Sequence, residues 1–188
     1  MVPEPANVLP PAGVSSRFGF FSYTNRCRSP AQFRPLALPE RHDFPAHQLK
    51  LEVTESTLMS EPERTKKALD ELHAQDVRIA IDDFGTGYSS LSYLQKLPVD
   101  DLKIDRSFVM DMSDSEASKT IVRSIISLAH SLGISVTAES IESEQTLALL
   151  RGAGCGFAQG YFIGRPMPFD ALLAWIDDSG WCPQALSE

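Results

Sequence analysis

Residues 77–83 read Val-Arg-Ile-Ala-Ile-Asp-Asp, a short apolar run that ends on two adjacent carboxylates. Short apolar runs bounded by turn signals are typical of strands buried in a parallel sheet. Four further runs have the same form, with a polar side chain at or near the end. The five predicted strands span residues 49–54, 77–82, 101–105, 134–138 and 156–162. Together the five runs predict strands of the same kind, buried in a parallel sheet.

Helix signals lie between these strands. Ser60-Glu61-Pro62-Glu63 has capping-box spacing with a proline in the first turn, and it predicts a helix that runs to about Gln75. Gly133 is a typical stop for the helix between the third and fourth strands. The four predicted helix starts are Ser60, Ser113, Ser143 and Pro168. Strands that alternate with helices predict parallel βαβ units.

The polar residues at the strand ends recur at a barrel-like interval. From Glu52 to Gln159 the four steps between successive strand ends average about 27 residues, close to the share of one βα unit in a barrel of roughly 250 residues. At 188 residues the chain is shorter than such a barrel. We therefore predict an α/β fold, a partial TIM-like barrel of about five parallel βα units. Its strand ends would gather six side chains at one mouth: Glu52, Asp82, Asp83, Lys103, Glu139 and Gln159.

The chain divides into three predicted parts. Residues 1–43 form an irregular, proline-rich segment, since 8 of the 13 prolines fall within residues 1–48. An aromatic cluster at 18–23 is either an edge strand or an exposed apolar segment. Residues 44–178 form the incomplete barrel domain, and residues 179–188 form a tail.

Composition excludes several classes of protein. A net charge of −8 disfavours binding to DNA or RNA. Three scattered cysteines without a paired motif predict neither a disulfide framework nor a zinc site, and they fit a reducing cytoplasm. No apolar run approaches the length of a membrane span, and the proline-rich start does not resemble a signal peptide.

Crowded carboxylates at one mouth predict divalent-metal chemistry. Without cations they would raise one another's pKa and become neutral, and oxygen ligands favour Mg²⁺, Mn²⁺ or Ca²⁺ over zinc. Any single acid could instead be a helix cap or a loop residue. The residues alone do not separate phosphodiester hydrolysis from an enolase-type site with a lysine base.

The motifs resemble those of the EAL domain family over residues 44–176. Residues 82–90, Asp-Asp-Phe-Gly-Thr-Gly-Tyr-Ser-Ser, are similar to its DDFGTGYSS signature. Residues 51–56, 102–105, 138–142 and 159–161 resemble its E(I/L/V)TE, KID, AEGVE and QGY segments. The resemblance implies a TIM-like barrel with an antiparallel first strand. It also implies hydrolysis of cyclic di-GMP (c-di-GMP) to pGpG with Mg²⁺ or Mn²⁺.

The resemblance also implies individual roles at the mouth. Lys103 would contact the nucleophilic water, and Gln159 would lie near that water and the metals. Glu139 would hold a metal or its water. The implied metal ligands are Glu52, Asp82, Asp83 and Glu139.

Other residues have implied supporting roles. Glu55 would brace the loop at 83–90, which contains Gly85 and Gly87 and reaches a homodimer interface in the family. Glu142 is either a supporting residue or a solvated helix residue. Asp105 and Arg106 either contact the dinucleotide or cap a turn. We expect Asp100 and Asp101 to be surface charges.

The sequence departs from the family pattern at two expected ligands. It contains no Glu-Ala-Leu, whose glutamate binds metal in the family, and Cys27 falls where an asparagine is expected. Two hypotheses follow. The chain is a c-di-GMP phosphodiesterase with impaired or absent turnover, or a degenerate domain that binds c-di-GMP or a protein partner without catalysis.

Overall fold

The structure is a computed structural model that describes residues 45–87 and 91–178, together with the backbone of two short strands at 7–8 and 21–23. The predictions for the rest of residues 1–43, for Cys27 and for the tail at 179–188 lie outside these residues.

Seven strands in the described part of the chain form one sheet, in the order β1-β7-β6-β5-β4-β3-β2. They are β1 (Asn7–Val8), β2 (Phe21–Tyr23), β3 (Leu49–Thr54), β4 (Arg78–Phe84), β5 (Asp101–Ile104), β6 (Ser135–Ala138) and β7 (Phe157–Ala158). Strands β3 to β7 pair in parallel with their neighbours in chain order. This confirms the predicted α/β class with five parallel units.

Two short strands lie in the segment that we predicted to be irregular. Phe21–Tyr23 pairs in parallel with β3, so the aromatic cluster contributes an edge strand. Asn7–Val8 pairs antiparallel with β7 at the opposite edge of the sheet. Neither the proline-rich composition nor any period in the sequence signals this second pairing.

The helices follow the strands. They are α1 (Glu55–Ser60), α2 (Pro62–His73), α3 (Leu91–Leu94), α4 (Arg106–Met110), α5 (Glu116–Ser131), α6 (Glu144–Gly152) and α7 (Phe169–Asp178). Short 3₁₀ helices span Ala46–Gln48 and Asp111–Ser113. Within the described residues, no helix is long and apolar enough to cross a membrane.

Two predicted helix starts are displaced. The helix predicted from Ser60 is α2, which begins at Pro62 with Glu61 as its N-cap. A separate helix precedes it, because the Thr54 hydroxyl accepts a hydrogen bond from Thr57 N and begins α1 at Glu55. The second start is at Ser115, whose hydroxyl accepts from Ser118 N and caps α5. A helix cap depends on which side-chain hydroxyl accepts a hydrogen bond from the backbone, and sequence spacing predicts that residue only to within a few positions.

The remaining helix signals hold. Ser143 caps α6 through Thr146 N, and α7 begins directly after Pro168. Gly133 has φ of +72°, a conformation that favours glycine, and it ends α5.

Side chains alternate between two faces of the sheet. On one face, apolar side chains pack beneath the helices. The fully buried strand residues of this face include Ile79, Ile81, Leu102, Ile104 and Val136. The opposite face is largely polar and carries the residues at positions 50/52, 80/82, 101/103 and 137/139. This inner face holds the candidate site.

A buried ion pair lies at the amino-terminal half of the inner face. Lys50 Nζ is 3.0 Å from Asp101 Oδ2, and the Thr137 hydroxyl donates to the same oxygen at 2.8 Å. Ala80, fully buried on the strand between them, leaves room for Lys50 to cross β4. The prediction that Asp101 is a surface charge is therefore wrong, since its side chain is only 3% exposed. Asp101 is two residues before Lys103, so strand alternation places both on the inner face.

We expect Asp101→Ala to lower the free energy of unfolding by about 3 kcal/mol, because it removes the buried carboxylate that pairs with the part-buried Lys50 ammonium and accepts the Thr137 hydroxyl. The double variant Lys50→Met/Asp101→Leu should recover most of this loss. Asp70→Ala, which removes the exposed pair with Lys66, is the control and should cost less than about 1 kcal/mol. Equal losses in urea unfolding for Asp101→Ala and Asp70→Ala would contradict the assignment.

Candidate metal centre and active site

Three carboxylates from separate strands meet at one ammonium group. Lys103 Nζ in β5 lies 2.9 Å from Glu52 Oε2, 3.5 Å from Asp82 Oδ1 and 2.5 Å from Glu139 Oε1. Because β3, β4, β5 and β6 are parallel neighbours, with a register shift between β4 and β5 after Ile81, their carboxyl ends carry these side chains to the same point. The structure thus brings together four of the six predicted mouth residues.

The site is buried, and its charges depend on each other. Lys103 is 6% exposed and Glu52 is 8% exposed. Burial alone would lower the pKa of Lys103, but Glu139, Glu52 and Asp82 raise this pKa above its ordinary value. Burial raises the pKa of Glu139, and Lys103 opposes that rise. Lys103 therefore stays protonated and neutralises part of the carboxylate charge.

The donor set suits a hard divalent cation. The site offers carboxylate oxygens, which are the ligands that Mg²⁺ and Mn²⁺ take in proteins. Glu52 Oε2 is buried and makes no hydrogen bond of acceptable geometry, although Lys103 Nζ is near. In the described residues, no three acidic, histidine or cysteine side chains already form a metal-sized cluster. The carboxylates fit such an ion chemically, and the Lys103 ammonium now stands at their point of convergence.

Asp83 lies beside this group. It adopts a left-handed conformation with φ of +54°, and its backbone N donates to Asp82 Oδ1 at 3.1 Å. Burial, the charge of Asp82 and the charge of Asp105 raise the pKa of Asp83, while Lys103 acts to lower it. Asp83 is therefore an acid in a repulsive environment that a cation would relieve.

Glu55 holds the loop that follows Asp83. Its buried Oε2 accepts hydrogen bonds from the backbone N of Gly85 at 3.0 Å and of Gly87 at 3.3 Å. Gly85 has φ of +104°, and a Cβ on Gly87 would lie 2.7 Å from Glu55 Oε1. The backbone conformation thus favours glycine at 85, whereas a side chain at 87 would displace the Glu55 carboxylate. Residues 88–90 of this predicted loop lie outside the described residues.

Gln159 directly follows β7 and is buried. Its backbone N donates to Ala138 O at 2.9 Å, and its carbonyl accepts from Ile141 N at 3.0 Å. These bonds place Gln159 beside the strand end that carries Glu139.

The structure shows the local surroundings of residues whose roles the sequence left open. Asp105 caps α4, since its Oδ1 accepts from Ser107 N at 2.8 Å and from the Ser107 hydroxyl. Glu142 and Arg106 are exposed. Asp100 is part-exposed as expected, but its Oδ2 also accepts from Ile79 N at 2.7 Å.

The comparison with protein families decides the identity of this fold and site. The EAL domain profile matches residues 26–166. The chain belongs to the EAL domain family. The match begins at residue 26, within the segment 1–43 that we predicted to lie outside the incomplete barrel domain.

Relatives and solved structures agree with this membership. The chain is 44% identical over 136 residues to the bifunctional diguanylate cyclase/cyclic di-GMP phosphodiesterase MucR of Pseudomonas aeruginosa, covering 72% of this chain and 20% of that protein. The c-di-GMP complex of the PaMucR phosphodiesterase superposes with a TM-score of 0.71 at 42% identity, covering 73% of this chain and 56% of the other. A manganese and c-di-GMP complex of Klebsiella pneumoniae BlrP1 gives a TM-score of 0.64 at 32% identity, covering 71% and 36%.

The chain is short relative to such proteins. Its matched part spans 16–20% of the length of four curated relatives that are at least 44% identical.

We expect Asp83→Asn to raise the thermal stability of the metal-free chain at pH 7. The pKa of Asp83 is raised in the folded state, so wild-type stability falls as pH rises from about 4 through that raised pKa. Asparagine tolerates the left-handed backbone and carries no charge. The gain should vanish at pH 3, where both states of the wild type are protonated.

The measurement is the melting temperature in EDTA across this pH range. Exposed Glu71→Gln in α2 is the control and should show no pH-dependent gain. An Asp83→Asn variant that melts below wild type at pH 7 would contradict the repulsion described here.

Proposed function

We propose that this chain carries part of a Mg²⁺- or Mn²⁺-dependent phosphodiesterase site for c-di-GMP, and that its turnover of c-di-GMP is impaired. The observation that carries the proposal is the convergence of Glu52, Asp82 and Glu139 on Lys103 at the carboxyl ends of parallel strands. Relatives that are c-di-GMP phosphodiesterases by name support the substrate, and a relative solved with manganese supports the metal.

In this proposal Glu52, Asp82, Asp83 and Glu139 would hold the divalent ions. Such ions lower the pKa of bound water and neutralise charge on phosphoryl oxygens. Lys103 keeps its proton, because its pKa is raised, and therefore acts as a fixed positive charge rather than a base. It is placed to stabilise negative charge on the phosphate as water adds to phosphorus and one P–O bond breaks, giving pGpG. Gln159 would orient the water.

Impaired turnover follows from the donor count. The sequence lacks both the Glu-Ala-Leu glutamate and the asparagine that the family pattern supplies as further ligands. A two-metal mechanism depends on the number and orientation of its ligands, and the loss of supporting groups alone lowers metal affinity about 10- to 100-fold. The remaining residues would hold an ion weakly.

A binding module without turnover is the second candidate. The position of the Lys103 ammonium at the centre of the carboxylates favours it, because the site is already partly neutralised without a metal. Such a domain would take up c-di-GMP or a protein partner and release the ligand unchanged.

We expect slow or no release of pGpG from c-di-GMP by the purified chain in Mn²⁺ or Mg²⁺, with calorimetric binding of c-di-GMP retained. Asp82→Ala should abolish metal-dependent binding, because it removes a proposed ligand. Exposed Glu71→Gln is the matched acidic control. Robust pGpG release that Asp82→Ala abolishes would contradict impairment. Absence of c-di-GMP binding would contradict the phosphodiesterase and the c-di-GMP-binding module, and would leave the protein-partner form of the second candidate.

We also propose a homodimer that forms through the loop after Asp83. The bracing of this loop by Glu55 supports a defined loop surface next to the site. Glu55→Gln keeps the side-chain volume but removes the charge that accepts both backbone hydrogen bonds. We expect sedimentation equilibrium to give a dimer for wild type and a shift to monomer for Glu55→Gln, with Glu71→Gln unchanged. A monomeric wild type would refute the dimer.

A cytoplasmic location is part of this proposal. Cys155, the free cysteine among the described residues, is buried, and burial raises the pKa of its thiol to about 11. A protonated, inaccessible thiol needs no disulfide partner and is compatible with a reducing compartment.

A further inference from the structure

Backbone hydrogen bonds join the two loops that follow β6 and β7. Gln159 N donates to Ala138 O at 2.9 Å, Ile141 N donates to Gln159 O at 3.0 Å, and Phe162 N donates to Ile141 O at 3.0 Å. The regular pairing of the two strands ends at Ala138 and Ala158, so these bonds extend the contact beyond the sheet. We call residues 139–141 and 159–162 the Gly160 seam.

Gly160 permits this close approach. A Cβ at this position would lie 2.2 Å from both the backbone N and the backbone O of Ile141. Real Cβ atoms do not approach backbone atoms this closely, and the main chain of a buried residue cannot rotate away as a long side chain can. Any side chain at 160 would therefore force the two loops apart.

Ser140 turns the chain towards Gly160. It has φ of +55°, a left-handed conformation that is uncommon for residues other than glycine, asparagine and aspartate. Its neighbour Ile141 is fully buried and supplies the N–H and the carbonyl of the seam. Ser140 lies between the candidate ligand Glu139 and the buried Ile141. Its strained conformation indicates that the surrounding contacts hold the backbone in place.

We infer that Gly160 and Ser140 are positioning residues that set the separation of Glu139 and Gln159 at the candidate metal centre. Glu139 is adjacent to Ser140, and Gln159 is adjacent to Gly160, so each functional side chain is one residue from the point of contact. The seam fixes both main chains relative to each other where the strand ladder no longer does. The inference rests on the proposed function, since it assigns these side chains a common ligand.

The test compares Mn²⁺ affinity by calorimetry with amide hydrogen exchange at Ile141 and Phe162. Gly160→Ala should lose exchange protection at both amides and bind Mn²⁺ about tenfold more weakly, the lower end of the effect expected when a ligand's support is removed. Gly152→Ala, where a Cβ meets no atom within 4 Å, should change neither readout. Leu69→Ala should lower the melting temperature without changing Mn²⁺ affinity, because Leu69 is a fully buried core residue of α2.

Ser140 variants keep the inference testable if Gly160→Ala does not fold. Ser140→Gly should raise the melting temperature and retain Mn²⁺ affinity, because glycine adopts the left-handed conformation freely. Ser140→Val should weaken Mn²⁺ binding about tenfold, because a β-branched residue disfavours the left-handed backbone conformation at this position.

A folded Gly160→Ala or Ser140→Val chain with wild-type Mn²⁺ affinity overturns the inference, as does failure of both variants to fold. A wild-type chain that binds no Mn²⁺ refutes the proposed function instead. In that case the exchange data alone decide whether the seam holds the two loops together.

Discussion

The inner face of the sheet buries charge, and each buried charge must have a partner. At the carboxyl ends of the strands, Lys103 is the partner of three carboxylates. Lys50 is the partner of Asp101, which lies two residues before Lys103 in β5. An isolated carboxylate in such a position would be neutralised or would destabilise the fold. The alignment of four parallel strands thus depends on this pairing as much as on the apolar face beneath the helices.

The Lys103 ammonium and a metal ion would compensate the charge of the same carboxylates. Glu52, Asp82 and Glu139 can be compensated either by one ammonium or by a divalent cation with higher charge. Klebsiella pneumoniae BlrP1, to which this chain is similar in structure, was solved with calcium and with manganese, each together with c-di-GMP. In this chain the number of remaining oxygen donors decides how far an ion can replace the ammonium contacts, and the sequence lacks two of the donors that the family pattern provides.

The sequence predicted the parts of the structure that follow from simple periodicity. Alternation and the repeat between strand ends located the five parallel strands and brought Glu52, Asp82, Lys103 and Glu139 to one point. It did not predict the burial of Asp101, although the same alternation places that residue on the inner face, because two adjacent acids are also typical of a solvent-exposed segment. The caps at Thr54 and Ser115 were missed because several hydroxyls compete within a few residues. The strand at Asn7–Val8 depends on a contact with the distant β7 strand, for which local sequence carries no signal.

One strand end serves two purposes. Glu52 points into the carboxylate cluster, and three residues later Glu55 accepts the hydrogen bonds of the loop at Gly85 and Gly87. A rigid strand and the first residue of a short helix connect them, with no intervening flexible link. A displacement of that loop is therefore passed to the carboxylate cluster through the hydrogen bonds to Glu55 and the short segment between Glu55 and Glu52. A natural substitution in the segment from Glu52 to Glu55 would therefore alter the carboxylate cluster and the conformation of the loop together.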